Sequence, residues 1–345
     1  MKIAMLPYET ASNKYLELMR NAILKLGIEI NSFDEVYENK ELFDETEYFL
    51  LNWYEAPVTN SIVLQLLRMI KKIMKLKRIQ RNNKKIVWVM HNKIPHNLNH
   101  TFHPRCIMNY LIKNSNNIII HSKDTRNFLS SRKDYNEIKD KLVYVPHPNY
   151  IGAYKKSESS VDEDKLNLLF LGTVQPYKNV DLLVKVFNEL NLENVTLTLA
   201  GKTSSDEYKD YINGLIDGNK NIKTEFRFIE DDEMQDFIAK SDLLVLPYDL
   251  KSSLNSGTII LAFSSKKTVL SPLIATLKDF DNRENYFSYE YVDEESHKKA
   301  LKENLLKISK MDKKEIQEMG KRSYLIVEKE NSIEKISEIL SQIFV

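Results

Sequence analysis

The chain has 345 residues, 42% of them apolar and 29% charged, with a formal net charge of +1. That length suits two domains of about 150–170 residues, and no apolar run reaches the roughly 18–20 residues needed to span a bilayer. The single cysteine, Cys106, excludes an internal disulfide and suits a reducing cytoplasm; nothing at the N-terminus reads as a signal peptide. The charge is unevenly spread. Residues 1–55 hold eleven acids against five bases, whereas residues 56–123 hold thirteen Lys or Arg and no acid.

In chain order, short apolar runs alternate with helical periodicity. A strand is expected at residues 2–6, a helix at 13–26, and strands at 29–33 and 48–52. Residues 64–85 form a basic amphipathic helix with Ile62, Leu66, Ile70 and Ile73 on one face and Lys71, Lys72, Lys75 and Arg78 mostly elsewhere. Such a helix suits an anionic membrane surface or a lipid-linked diphosphate, or is a solvated face. Aromatic residues are not interleaved with its bases, and no nucleic-acid-binding motif is present. Strands follow at 85–90, 117–121 and 142–145, with a helix at 124–129. The polar, aperiodic stretch 155–165 reads as a linker. Beyond it come strands at 168–171, 195–200, 225–229, 243–246 and 268–270, and helices at 179–190, 205–215, 231–239 and 257–263. Residues 332–345 carry a last amphipathic helix. Repeated strand–helix alternation predicts an α/β protein of parallel sheets with helices on both faces. Ligands then bind at strand C-terminal ends.

Several stretches could carry chemistry at those ends. Leu168-Leu-Phe-Leu-Gly172 is a buried strand closed by glycine, and Lys178 stands where the next helix begins, adding a cation to its positive end. Asn255-Ser-Gly-Thr258 opens an apolar helix, where N–H groups of Ser256, Gly257 and Thr258 suit a diphosphate or are ordinary capping. Six of the seven histidines lie in the first half. His91, His96, His100 and His103 follow one strand at spacings of five, four and three, which match no zinc signature; no metal is expected. Ser122 reads as a helix cap, and His147 as a turn residue able to reach a ligand.

The order Phe170-Leu-Gly172, Tyr177-Lys178, Val180-Asp-Leu-Leu183 and Phe187, followed by Ala200-Gly201-Lys202, the segment Phe228 to Tyr248, and Asn255-Ser-Gly-Thr258, resembles the C-terminal domain of GT-B glycosyltransferases. The likeness is to family 4, the bacterial surface-polysaccharide type, and is thinner over residues 85–148, where His91-Asn92 and His96 follow a strand. The resemblance implies two Rossmann-like domains facing across a cleft: residues 1–154 on the acceptor side, a linker at 155–165, a nucleotide-sugar domain at 166–325, and residues 326–345 returning to the first domain. It implies transfer of a sugar from a nucleotide-diphosphate donor to a hydroxyl of a lipid-linked glycan, without a metal or other cofactor, at the inner face of the plasma membrane. Gly172, Thr173, Lys178, Ser256, Gly257 and Thr258 would hold the diphosphate. Gly201, Lys202 and Ile229 would lie beside the nucleoside, Asn92 and Asn255 beside a sugar, and His91 and His96 at the reacting centre. Family 4 enzymes often carry two glutamates eight positions apart; Ser253 and Leu261 stand there, and Thr173 replaces a common arginine. These departures leave open a non-catalytic accessory protein or a nucleotide-sugar epimerase on the same scaffold. Neither the donor base, uridine or guanosine, nor the linkage is legible.

Overall fold

The computed structural model describes residues 1–9, 13–56, 61–93, 102–157, 159, 161, 164–251 and 253–344. Two compact units emerge: Met1–Pro148 with Ile333–Val345, and Asn149–Ser332.

The first unit runs β1 (Lys2–Leu6), α1 (Lys14–Leu24), β2 (Glu29–Ser32), α2 (Phe33–Glu38), α3 (Lys40–Glu45), β3 (Thr46–Asn52), α4 (Ile62–Arg81), β4 (Lys85–Met90), α5 (Phe102–Asn114), β5 (Asn117–Ile120), α6 (Asp124–Ser130), α7 (Tyr135–Ile138) and β6 (Leu142–Tyr144). Its sheet is parallel throughout, in the order β2-β1-β3-β4-β5-β6. The central strands are buried on both faces, Phe49 to Leu51 and Ile86 to Met90 completely, which is why they read as unbroken apolar runs rather than alternating ones.

The second unit runs β7 (Leu166–Leu171), α8 (Val180–Leu190), β8 (Val195–Ala200), α9 (Asp206–Ile216), β9 (Ile222–Glu225), α10 (Asp231–Ala239), β10 (Leu243–Val245), α11 (Gly257–Ser264), β11 (Thr268–Pro272), α12 (Ala275–Lys278), β12 (Phe287–Tyr289), α13 (Glu294–Ile308) and α14 (Lys313–Glu330). Its sheet is also parallel, ordered β12-β11-β10-β7-β8-β9. A final helix, α15 (Ile333–Leu340), belongs to the first unit. There Ile336, Leu340, Ile343 and Phe344 join a core with Leu16, Met19 and Tyr48, and the Phe344 ring meets Tyr48 edge-on at 5.2 Å.

Three features differ from the sequence pattern. The strand expected at 225–229 is β9, three residues earlier. Ile222 pairs with Leu197, while Arg227 turns outward to Glu225 and Glu233 at 2.7 Å each and holds 226–229 as a loop. The unit boundary falls at Pro148, because Asn149 donates to Val327 O at 2.8 Å and to Asn331 O at 2.9 Å. The described residues of the polar stretch 155–165 belong to the second unit, with Ser157 donating to Asp236. Helices α2, α3, α5, α7, α12, α13 and α14 and strand β12 have no counterpart in the sequence pattern.

The two strand orders locate the sites. In the first sheet the order reverses between β1 and β3, in the second between β7 and β10. Open α/β sheets bind ligands outside strand C-terminal ends at such a switch point.

Candidate functional site

In the second unit, β7 is followed by Gly172 and β8 by Gly201, both with positive φ (135° and 141°). A Cβ on Gly201 would lie 2.0 Å from Gly172 O, so only glycine lets the two strand ends approach this closely. Gly172 N–H donates to Ala200 O at 3.0 Å and Val174 N–H to Lys202 O at 2.8 Å, extending the pairing past the sheet. A 3₁₀ turn, Pro176–Lys178, and left-handed Asn179 (φ 51°) then lead into α8. Lys178 therefore precedes the helix instead of opening it. The turn is tied to the chain beyond β10: Asn179 Nδ2 donates to Pro247 O at 2.9 Å, and Asp249 N–H donates to Tyr177 O at 3.2 Å.

Lys178 Nζ sits beside Gly172, 3.0 Å from where a Cβ would stand, and 5.8 Å from the Tyr248 ring centre. Burial alone pushes its ammonium down from 10.5 to about 8, and among the described residues no carboxylate pairs with it. A partly buried cation without a counterion, at the switch point of a parallel sheet, is electrostatically suited to an anion.

The start of α11 is more internally committed than its sequence suggested. Ser256 N–H donates to Thr276 Oγ1 at 2.9 Å, its hydroxyl meets Tyr248 OH at 3.1 Å, and Ser256 Oγ accepts from Ile259 N–H at 3.3 Å as the helix cap. Ser256 thus caps α11 and ties it to Tyr248 and Thr276. Gly257 and Thr258 follow in the first helical turn, whose N–H groups have no intrahelical acceptor. Thr173 is exposed and bonded to Tyr177. Lys202 is exposed, whereas Ile229 packs into the core; the neighbouring exposed aromatic is Phe228. Asn255 directly precedes the Ser256 cap. Ser253 and Leu261 are both buried, so the absent glutamates are replaced by packing positions. Tyr248 and Thr276, which organise this edge, were missed; the Pro247-Tyr248 strand end was their only signal.

In the first unit the corresponding edge carries rings. Asn52 ends β3, His91 and Asn92 follow β4, His121 follows β5, and His147 lies beyond β6. The His91 imidazole bonds through Nε2 to Asn52 Oδ1 at 3.0 Å, and Asn52 Nδ2 donates to Leu6 O at 3.4 Å across the β1/β3 switch point. Tyr15 of α1 lies 2.8 Å from His121 Nε2, and His121 Nδ1 is 2.8 Å from Val145 O. His147 Nδ1 is 2.9 Å from Pro148 O. Trp53 (φ 48°) stacks on His91 at 4.1 Å. Burial lowers all three histidines, His91 well below 6.5, His121 to about 4 and His147 to about 3; the neighbouring imidazoles add to the effect on His91 and His147. They are neutral at pH 7. Sequence pattern pointed to His91 but not to Tyr15, Asn52 or Trp53, whose partners are distant in the chain. His96 and His100 lie outside the described residues. His103 is elsewhere, bonded to Gln65 Oε1 at 3.0 Å. Among the described residues, no group of three or more His, Cys, Asp or Glu is arranged to hold a metal ion.

The cluster has a consequence for stability. As pH falls below 6.5 the unfolded chain takes up protons that folded His121 refuses until about pH 4. Unfolding free energy should therefore drop by about 3 kcal/mol between pH 7 and 4 from His121 alone. Urea titrations at pH 7 and 4.5 should show the loss in wild type and a smaller one in His121→Asn.

The basic helix α4 is oriented differently from its sequence wheel. Lys72 points inward, donating to Tyr54 O at 2.6 Å and Ala56 O at 2.8 Å. Lys75 pairs with Asp34 at 3.3 Å. Arg78 donates to Tyr37 O at 3.2 Å and lies over Tyr37 and Phe43. These bases hold the helix to α2 and the β3 end. Outward instead are Val63, Leu66, Leu67, Ile70 and Met74, from 43% to 68% exposed, beside exposed Arg68, Lys71, Lys77 and Arg81. Periodicity defines helix faces but not which face the fold covers. Among the described residues, no helix is long and apolar enough to cross a membrane.

Two parallel-sheet units of this strand order, the second with Gly172, Gly201 and Lys178 at its strand ends, define the GT-B class of glycosyltransferase fold. Residues 165–308, somewhat under half of the chain, match the family model of glycosyl transferases group 1. It is 28% identical over 105 residues to a GDP-mannose:glycolipid 4-beta-D-mannosyltransferase of Xanthomonas campestris, a match covering 30% of each chain; the match thus spans under a third of that relative. Among solved structures, a sucrose-phosphate synthase from Thermosynechococcus elongatus superposes with TM-score 0.72 at 12% identity, over 100% of this chain and 98% of that one. HepE of Anabaena in complex with UDP-glucose gives 0.68 at 13%, over 100% and 99%. At such identities these two likenesses concern the fold.

Proposed function

We propose that the protein is an active glycosyltransferase that moves a sugar from a nucleotide-diphosphate donor to a hydroxyl of a lipid-linked glycan, in bacterial capsule, exopolysaccharide or lipopolysaccharide assembly. The observation that carries this is Lys178, an ammonium lowered by burial and without a carboxylate among the described residues, at the β7/β10 switch point of the matched domain. A donor diphosphate supplies the missing charge. As the bond from the sugar C1 to the phosphate oxygen breaks, its electron pair goes to the leaving diphosphate. Lys178 and the Gly257 and Thr258 N–H groups stabilise that charge, so no metal ion is required. The acceptor oxygen bonds to C1, and its proton leaves to a base. Within the first unit, the neutral His91 imidazole suits a hydrogen bond to an acceptor hydroxyl. No other cofactor takes part.

The outward stripe of α4 supports a peripheral site on the cytoplasmic face of the membrane. Apolar side chains flanked by cations suit an anionic bilayer. Replacing Arg68, Lys71, Lys77 and Arg81 by Gln should reduce binding to phosphatidylglycerol vesicles at least tenfold in co-sedimentation. Equal binding would leave α4 a solvated face. Because Ser253 and Leu261 lack carboxylates, a non-catalytic accessory role is the second reading.

Thermal denaturation with a panel of nucleotides and nucleotide-sugars tests the main reading. A ligand at 100 times its Kd adds about 2.7 kcal/mol to the folded state. Stabilisation by one diphosphate nucleotide, lost in Lys178→Met, would support it; no stabilisation by any nucleotide would favour the accessory role.

A further inference from the structure

We infer that Tyr291 is a positioning residue for the anion site of the second unit: from just beyond β12 its hydroxyl grips the chain at residues 248–250, and so sets the Tyr248 ring beside Lys178 and the Tyr248 hydroxyl against the first turn of α11. The inference rests on the reading of Lys178 as a diphosphate ligand and names what holds that ligand in place.

The grip follows from donor and acceptor roles. Leu250 N–H donates to the Tyr291 oxygen at 2.8 Å. The Tyr291 hydroxyl has one proton to give, and the Tyr248 carbonyl, 3.1 Å away, only accepts. Burial pushes that hydroxyl up to about 12, so at neutral pH the proton is in place. One oxygen thus fixes the peptide groups on both sides of Asp249. From the opposite direction, Asp249 N–H donates to Tyr177 O at 3.2 Å, and Asn179 Nδ2 to Pro247 O at 2.9 Å. The segment after β10 is therefore strung between the Lys178 turn after β7 and the chain after β12, although β11 lies between β10 and β12 in the sheet.

The Tyr291 ring is itself held. It lies parallel to the His297 imidazole of α13, with ring centres 3.9 Å apart and planes at 4°. His297 Nε2 is in turn 3.0 Å from the Tyr289 hydroxyl. A ring stacked in this way delivers its hydroxyl to one place, because the neighbouring packing fixes its rotamer.

What the grip places is Tyr248. Its ring centre is 5.8 Å from Lys178 Nζ, and its hydroxyl meets Ser256 Oγ at 3.1 Å and the Thr258 side chain. One side chain therefore neighbours both groups proposed for the diphosphate, the ammonium and the start of α11, and sets their spacing. Phenylalanine at 291 would keep the stack on His297 and lose both bonds. Asp249 and Leu250 are only half-buried, so water can reach this edge and the fold survives the change. The place of Tyr248 does not.

Calorimetric titration of the whole chain with UDP and with GDP tests this. For the nucleotide that wild type binds, Tyr291→Phe should weaken affinity about five- to tenfold, while lowering the melting temperature by no more than about 4 °C. Tyr248→Phe, which keeps the ring beside Lys178 but releases Ser256, should weaken affinity to a similar extent, and its result stands however Tyr291→Phe folds. Because Tyr291 acts through Tyr248, the double variant should bind within about threefold of the weaker single one. Unchanged affinity in either single variant, or losses that multiply in the double one as separate structural defects would, overturn the inference. Binding that Lys178→Met abolishes and Tyr291→Phe leaves intact keeps the diphosphate reading and removes the positioning role alone. If wild type binds neither nucleotide, the reading of Lys178 fails and the inference falls with it.

Discussion

Lys178→Met should lower kcat/KM by about two to three orders of magnitude, the scale of losing one preorganised charge-stabilising donor. Methionine keeps most of the side chain's length and apolar stem but carries no charge. Folding should not suffer, because an ammonium lowered to about 8 disfavours the folded state wherever the unfolded lysine is charged. The substitution should instead raise the melting temperature of the free protein slightly. Loss of binding with gain of stability is the signature of a group kept for a ligand. The pH dependence has a defined sign. An anion favours the charged ammonium, so donor affinity in wild type should be full below pH 8 and weaken as pH rises through that value, with proton uptake on binding near pH 8. Lys178→Arg should move the weakening beyond the accessible alkaline range. Calorimetric titration of the nucleoside diphosphate in buffers of different ionisation enthalpy, between pH 6.5 and 9.5, measures both effects. Equal affinity in wild type and Lys178→Met would place the diphosphate elsewhere.

Gly201→Ala should cost about 2–6 kcal/mol of stability. The backbone at φ 141° is strained for an L side chain, contributing about 1–3 kcal/mol, and the added Cβ would meet Gly172 O at 2.0 Å, requiring the β7 and β8 ends to separate at a further cost of about 1–3 kcal/mol. Those ends shape the turn that carries Lys178, so nucleotide binding should fall together with stability. Gly214→Ala is the control. It lies in α9 with nothing within 4 Å of the new Cβ, and should stabilise by about 1 kcal/mol through helix propensity alone. Urea unfolding of both variants checks the pair; similar effects at the two positions would show that strand-end contact is not what requires glycine at 201.

Much of the fold is legible along the chain because parallel strands buried on both faces leave unbroken apolar runs. Ile86-Val-Trp-Val-Met90 and Leu168 to Leu171 could be assigned without any tertiary information. Shorter or half-exposed elements were harder. In Ile222–Glu225 only Ile222 is buried, while the more apolar Phe226 and Phe228 beside it belong to a loop, held there by Arg227. On α4, the wheel separates apolar residues from bases but does not say which face packs inward. Aromatic rings and carbonyls from α2 and the β3 end receive Lys72, Lys75 and Arg78, and those acceptors are invisible to periodicity.

The division is sharpest at the two strand-end clusters. Local order dictated that Gly172, Gly201 and His91 stand just beyond strand C-termini, since each closes an apolar run, and that Lys178 stands just before the following helix. Which of them share a site depends on strand order, and strand order is a long-range property. Only the reversal between β1 and β3 brings Asn52 to Leu6 and next to His91, with Tyr15 and His121 joining from residues 37 and 69 positions away. Only the reversal between β7 and β10 sets Tyr248 under Lys178. The protonation states follow from the same step: desolvation and the identity of a hydrogen-bond acceptor are set by what folds against a side chain, not by its neighbours in sequence.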